Sequence, residues 1–416
     1  MLATIRVAWF LAVRQIRRAS PWTTALIVFV MMLTFLNLVV VGGILVGLPQ
    51  GSQLAYEREY SGEVLIRSLP TKEYIERSED MIKTLRAFPE VVQISPRYLT
   101  GGKIEANYRT AVGPKQEPDA LMIQIGGIDP VLEHEVTGIG ELLFVGENLD
   151  PEEEGYVLLG KDLLEEYTVG AGIIGAVTLT NVGVGSKVRV EVNGSTKELI
   201  IRGVLSSKIG EMSTRAFMLD TELRRLSGRT DRNVGEIAVR LRPGANPMAV
   251  RDALKASGFA DVARIQTARE SQGTFLEDIE DTFEILSAAI GSIGLMVASI
   301  TVFIVIFINA VTRRKYIGIL KGIGISGSSI ELSYVFQSIF YATFGAFFGL
   351  VIIYTLLVPY FAEHPIDFPF SDGVLAVPID GTLIRLGLLV AVTVIAGYLP
   401  ARMIVKGNTL DAILGR

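Results

Sequence analysis

The stretch "NAVTRRKYIGILKGIGISGSSIEL" (residues 309–332) joins two long apolar runs, residues 285–311 and 332–362. It carries four cations, Arg313, Arg314, Lys315 and Lys321, and glycines at 318, 322, 324 and 327. Wound as a helix, it repeats Tyr316, Ile317, Leu320 and Ile323 at helical spacing, with Arg313, Arg314 and Lys321 around them. The glycine-rich "GIGISG" reads as a corner. "SSIE" (residues 328–331) reads as a capping box that starts the next helix, with Ser328 at the N-cap and Glu331 at N3. The pattern alone leaves two readings open. The helix can rest on lipid headgroups, its cations only setting topology, or it can be a docking element.

Working outward, half of the 416 residues are apolar and the mean hydropathy is positive. A helix of about 20 apolar residues crosses a hydrocarbon core of about 30 Å. Four stretches qualify, giving expected spans at residues 21–48, 283–311, 329–358 and 381–400. The first is far longer than the apolar core of a signal peptide, about 7–15 residues, and reads as an anchor. The fourth contains Arg385. An arginine at mid-bilayer costs about 2.5–3.5 kcal/mol, but in the first turns it can snorkel to the interface. Gly43-x3-Gly47 and Gly345-x3-Gly349 permit close helix approach and lend weak support to pairing of two copies.

Cations orient these spans. Arg6, Arg14, Arg17 and Arg18 precede the first, the basic stretch joins the second to the third, and Arg402, Lys406 and Arg416 follow the fourth. The connection 359–380 has no Lys or Arg. The positive-inside rule places both termini, the helix and turn 312–328 and the tail 401–416 in the cytoplasm, and the loop 359–380 outside. The expected location is the cytoplasmic (inner) membrane, multi-pass. Residues 1–20 read as an amphipathic helix on the inner membrane surface, with Trp22 at the interface.

Residues 49–282 then form a large extracytoplasmic domain. Its ends resemble each other: "EVLIRSLPTKEYIERSEDMIKTLRAFPEVVQISP" from Glu63 and "EIAVRLRPGANPMAVRDALKASGFADVARIQTA" from Glu236. Each reads as strand, turn with proline, helix and strand, so residues 63–100 and 236–268 are expected to pair as two βαβ halves. Residues 103–230 are strand-rich, and Asn193-Gly194 marks a hairpin. The acidic "PEEE" (151–154) lacks the spacing and glycine of a calcium loop. After Thr267 a helix with an acidic front half is expected to run unbroken past residues 281–283 into the second span, as a rigid lever. The fold class is therefore an α-helical membrane protein with four transmembrane helices and a mixed α+β extracytoplasmic domain containing two βαβ-like halves and a strand-rich inserted lobe.

Several functions are disfavoured. Without cysteine, disulfides, zinc–thiolate sites and iron–sulfur clusters are impossible, and His134 and His364 are too few for a His-rich metal site. A net charge of −5 with no basic domain gives no sign of nucleic-acid binding. No nucleophile–base constellation suggests an enzyme. No Gly-x4-Gly-Lys-Ser/Thr string is present, so ATP binding is not expected on this chain.

"TRRKYIGILKGIGIS" resembles the cytoplasmic segment of the MacB/FtsX/LolC-like ABC transporter permeases, typically Thr-Arg-Arg-x-Glu-Ile-Gly-Ile-Leu-Lys-Ala-Leu-Gly. "AGYLPARMIVKGNTLDAIL" is similar to that family's closing segment, which puts Gly397, Pro400, Ala401 and Arg402 in its C-terminal motif. Tyr316 and Gly322 stand where the family usually has Glu and Ala. In the tail, Thr409 replaces a common Pro, and Ile413-Leu414 replace Leu-Arg. The resemblance implies a coupling helix, comprising Arg313, Arg314, Lys315, Tyr316, Ile317, Leu320, Lys321, Gly322 and Gly324, that docks on a separate ABC ATPase subunit. Ile317 and Leu320 would plug that subunit's groove, and Arg313, Arg314 and Lys321 would meet its acidic rim. ATP and Mg would be held by the partner, with no cofactor on this chain. The resemblance further implies a second permease copy or paralogue, membrane lipid around the spans, and a periplasmic adaptor, carrier or envelope enzyme outside. The function implied is export or extraction of a lipid-linked, peptide or drug-like substrate by mechanotransmission. The alternative is an FtsX-like transmembrane regulator that activates an envelope enzyme and transports nothing.

Overall fold

The computed structural model describes residues 2–109, 119–168, 178–368, 371–373 and 375–406. Thr409 and Ile413-Leu414 of the closing motif lie outside them. The chain divides into two compact units, one of Met1–Gln50, Asp278–Asp367 and Gly373–Arg416, the other of Gly51–Glu277 and Phe368–Asp372.

In the first unit, four helices among the described residues are long and apolar enough to cross a membrane. Span 1 is Pro21–Tyr56, continued by a π-helical turn, Glu57–Ser61. Span 2 is Thr274–Thr312, unbroken past residues 281–283. Span 3 is Gly327–Ile352, and span 4 is Ile379–Val405. Their shared core follows the helical repeat. Ile27, Met31, Phe35 and Val39 recur every fourth residue of span 1, and Ala298, Val302, Ile306 and Ala310 do the same in span 2. Each series puts one stripe inward and leaves the rest of the helix to lipid. The N-terminal helix, Leu2–Arg18, packs on span 3. Ala8 and Ala12 are buried, Trp9 meets Phe336 edge to face at 5.5 Å, and Gln15 bonds Gln337.

Glycines bring these helices close within one chain. A Cβ on Gly345 would lie 2.4 Å from Cβ of Met31, and one on Gly349 would lie 2.7 Å from Phe35. Gly43 meets the backbone at Ala376, whose N–H donates to its carbonyl at 3.1 Å. These positions, read from sequence as a pairing surface between copies, are occupied by intrachain contacts. Arg385 makes a contact that its spacing did not specify. Its guanidinium folds over Gly42 of span 1, so that a Cβ there would sit 2.6 Å from Nη2.

Among the described residues, the second unit is built on a ten-stranded sheet. Its strands are β1 (Val64–Ser68), β2 (Val91–Glu105), β3 (Ala120–Ile128), β4 (Leu143–Gly146), β5 (Tyr156–Gly160), β6 (Lys187–Val192), β7 (Ser195–Leu205), β8 (Ala216–Leu219), β9 (Glu236–Leu241) and β10 (Ala263–Thr267). The order β10–β1–β9–β2 is antiparallel throughout. Each expected βαβ half is therefore split, and the first strand of the other half fills its gap. Helices Ser78–Ala87 and Pro247–Leu254 cover one face through Met81, Leu85, Val250 and Leu254, against Val64, Ile66, Ile237 and Val239. β2 continues past this sheet into the inserted lobe. There β2, β3, β8, β5, β7 and β6 pair in a closed ring, since β6 bonds both β7 and β2. Closure removes the exposed edges that an open sheet leaves. Asn193 and Gly194, both at positive φ, make the β6–β7 turn.

Gly397 of span 4 gives the sharpest packing test, because its Cβ would fall 1.8 Å from Oγ and 2.9 Å from Cβ of Ser338. Gly397→Ala is expected to destabilise the purified chain by roughly 1–3 kcal/mol, read as a lower unfolding temperature in detergent. Ser338→Gly in the same chain is expected to recover most of the loss.

Candidate functional site

The basic stretch is a short helix, Arg314–Gly322, with Arg313 at its N-cap position. About 12–15 residues are needed for an isolated helix to hold in water, so this one depends on packing. Ile317 is only 4% exposed and joins the core of the spans, with Leu320 half-buried against it. Ile317 thus faces the spans and Leu320 is only partly accessible, so the exposed apolar surface of the helix lies on other residues. The outward apolar residues are Tyr316, Ile319 and Ile323, at 69, 44 and 71% exposure. Lys321 also turns inward, its Nζ donating to the carbonyl of Val405 at 2.9 Å, near the end of span 4. Arg314 is half-buried and Lys315 exposed.

Gly324 ends this helix. At φ +92° it allows the N–H of Ile325 to reach the Leu320 carbonyl and its own N–H to reach that of Lys321, a Schellman closure. Span 3 starts at once, capped by Ser326, whose Oγ accepts from the N–H of Ser329. The cap is thus two residues earlier than the expected Ser328–Glu331 box. In the closing motif, Gly397, Pro400 and Ala401 lie on the buried face of span 4 with Thr393 and Ala396. Arg402 points out, over the Tyr398 ring. The motif's small residues therefore serve helix packing.

Sequence reading missed a buried ionic network in the outer domain. In register, Arg67 of β1 and Arg97 of β2 flank Glu236 of β9 on the sheet face away from the two covering helices. Arg97 has no exposed surface. Its guanidinium donates to Glu133 at 2.7 and 2.9 Å, to Glu236 at 2.6 Å and to the Tyr60 carbonyl at 2.6 Å. Ser95 and Thr137 also donate to Glu133. The Tyr60 hydroxyl donates to Glu236 at 2.6 Å and accepts from Arg215 and Arg67. Arg67 bonds Tyr56 as well. The last turns of the span 1 helix are thus wired to three strands and to the helix Pro130–Thr137.

A signal for this lay in the repeat, where both copies read Glu-x3-Arg: Glu63 with Arg67, and Glu236 with Arg240. The antiparallel pairing crosses them. Glu236 meets Arg67 at 3.1 Å, and Glu63 meets Arg240 at 3.2 Å. Burial would raise the Glu236 carboxyl. Arg97, Arg215, Arg67 and the Tyr60 hydroxyl override it and hold the group at about 2.

The remaining candidates are quieter. The acidic turn pairs with surface cations, Glu153 with Arg202 and Glu154 with Arg225. Among the described residues no group of three metal-binding side chains occurs. A cavity of about 570 Å³ opens between spans 1, 2 and 4, lined by Leu38, Leu45, Ala288, Leu295 and Arg385 among others.

Comparison with known proteins covers both units. The MacB-like periplasmic core domain family matches residues 24–257, and the FtsX-like permease C-terminal family matches residues 288–409. An uncharacterized ABC transporter permease of Methanocaldococcus jannaschii is 22% identical over 273 residues, 64% of this chain and 67% of its own length. The ABC transporter permease YtrF of Bacillus subtilis is 27% identical over 165 residues, 36% of each chain. The crystallised periplasmic region of MacB from Actinobacillus actinomycetemcomitans aligns with 51% of this chain and 92% of its own at 15% identity, TM-score 0.36. The extracellular domain of the ABC-type transporter YknZ from Gram-positive bacteria aligns with 49% of this chain and 98% of its own at 12% identity, TM-score 0.32.

The pH response of the network is testable. With its carboxyl held at about 2 against an ordinary 4.5, Glu236 stabilises fully above about pH 4.5 and loses this contribution as pH falls toward 2. Glu236→Gln is expected to lower outer-domain stability at pH 7 by about 3–5 kcal/mol, because buried guanidiniums lose their counter-charge. Hydrogen exchange of β1 and β9 amides in the full chain reads it, and the variant's protection is expected to change less between pH 4.5 and 2.5.

Proposed function

Because the chain belongs to the MacB/FtsX-like ABC transporter permeases, we propose that it couples ATP hydrolysis on a separate subunit to movement of its extracytoplasmic domain. The observation that carries this reading is the two-faced basic helix. One face is clamped to the spans by Ile317 and Lys321, and the other presents Tyr316, Ile319 and Ile323 to a partner. Such a helix can pass a push from a docked ATPase to the ends of spans 2, 3 and 4. In this reading ATP and Mg sit on the ATPase, and this chain is non-catalytic. The basic helix and both termini face the cytoplasm, in accord with the distribution of cations.

Two further features support movement of the outer domain. Spans 1 and 2 run on as helix well beyond bilayer thickness, as Pro21–Tyr56 and Thr274–Thr312. The end of the span 1 helix is fixed by Tyr56 and Tyr60 to buried charges. The cavity between spans 1, 2 and 4 joins an apolar wall to the charged side chains Arg385, Glu280 and Glu284, a lining that suits an amphiphilic substrate of the lipid-linked class.

The absence of native cysteine allows a direct test of the docking face. Ile323→Cys is expected to react with an impermeant maleimide in inverted membrane vesicles and not in intact cells, with the ATPase subunit protecting it. Ile319→Asp is expected to abolish that protection while leaving membrane insertion intact. Labelling of Ile323→Cys from outside intact cells would overturn the reading.

A further inference from the structure

A second cavity, of about 470 Å³, lies between the N-terminal helix, the basic helix and the start of span 3. Its apolar wall includes Leu11, Ile317, Ile319 and Leu320. Three guanidiniums line it, Arg14 and Arg18 one turn apart on the N-terminal helix and Arg313 at the head of the basic helix. None of the three forms an ion pair with any described residue. Tyr334, in the second turn of span 3, also lines it. It is 1% exposed, and its hydroxyl is buried without a hydrogen-bond partner among the described residues.

A buried hydroxyl with no partner costs about 1–3 kcal/mol, and three cations lining one cavity with no carboxylate in its described lining repel one another. Both are relieved by one anion carrying several acceptor oxygens. The apolar wall argues that the anion is attached to something greasy, and the walls' position argues the same. The N-terminal helix turns Trp9 and Phe10 outward at 59 and 60% exposure, as a helix seated among headgroups does. Tyr334 sits within two turns of the end of a span, at headgroup depth.

We propose that this cavity binds the phosphodiester headgroup of an anionic phospholipid of the leaflet that faces the ATPase. Arg14, Arg18 and Arg313 hold the phosphate oxygens, and the Tyr334 hydroxyl donates to one of them. The lipid then bridges the N-terminal helix to the basic helix and steadies the docking element. The orientation rests on the functional reading above; the binding site does not.

Native mass spectrometry of the full chain in detergent, titrated with phosphatidylglycerol or phosphatidylcholine, tests the site. Wild type is expected to keep one phosphatidylglycerol per chain in preference to phosphatidylcholine, with soluble glycerol phosphate failing to displace it. Arg313→Gln is expected to weaken retention about tenfold and Tyr334→Phe severalfold, the loss of charge-assisted and neutral hydrogen bonds respectively. Arg313→Lys, which keeps the charge, is expected to recover part of the loss, and matched elution on size exclusion excludes misfolding as the cause. Equal retention of the two lipids by wild type, or undiminished phosphatidylglycerol retention in Arg313→Gln, overturns the proposal. So does displacement by glycerol phosphate, which would mark a site for free phosphate esters, or loss of lipid when the ATPase binds, which would mark a seat for an acidic side chain. Selective lipid retention by a chain that recruits no ATPase would sink the docking reading and leave this site standing.

Discussion

A carboxylate withdrawn from water between two arginines governs the outer domain. Glu236 has Arg67 on one neighbouring strand and Arg97 on the other, and Tyr60 closes the set from above. Replacing a buried ion pair with apolar residues is often harmless, whereas removing one member leaves a charge stranded at about 3–5 kcal/mol. Such a network is thus a poor source of stability and a strict constraint on geometry. Arg97 makes the point best. Its guanidinium is divided among two carboxylates and the Tyr60 carbonyl. The end of the span 1 helix cannot rotate or slide without leaving a buried charge short of a partner.

The apolar runs and the repeat were legible because each depends on a period. Four stretches long enough for a bilayer became the four long apolar helices, and the two similar segments became split βαβ halves. What the repeat could not reveal was its interleaving. Strand order depends on contacts between the halves, and the alternation in "EIAVRL" reads equally well as a surface strand with Glu236 in solvent. Charged residues on strands ordinarily face water. Only the register, with Arg67 and Arg97 opposite the same residue, makes burial tolerable.

In the membrane unit, position was readable and partners were not. Spacing alone cannot say which helix a Gly-x3-Gly face will meet. Gly345 and Gly349 meet Met31 and Phe35 of the same chain. Arg385 illustrates a similar limit. Its place in the first turns of span 4 permits a path outward to the interface, yet Gly42 offers a notch into which the guanidinium folds. The closing motif was recognisable by its small residues, while their use in packing against span 3 appears only once Ser338 is seen under Gly397.

The short basic helix shows why helical spacing was insufficient to choose a docking face. A nine-residue helix has no independent stability, so it must give one apolar stripe to the protein that holds it. Ile317 and Leu320 are that stripe, and Lys321 adds a bond to the Val405 carbonyl at an end where the span 4 helix leaves acceptors unfilled. The apolar side chains left exposed, and so open to the proposed partner, are Tyr316, Ile319 and Ile323. Tyr316 occupies the position usually held by Glu in this family, and here it extends an apolar face instead of supplying a charge. Contact through that face excludes water from three apolar side chains and asks for no ion pair at position 316. The buried face and the exposed apolar face are thus separate residues of one helix, as the proposed transmission of force through a short element requires.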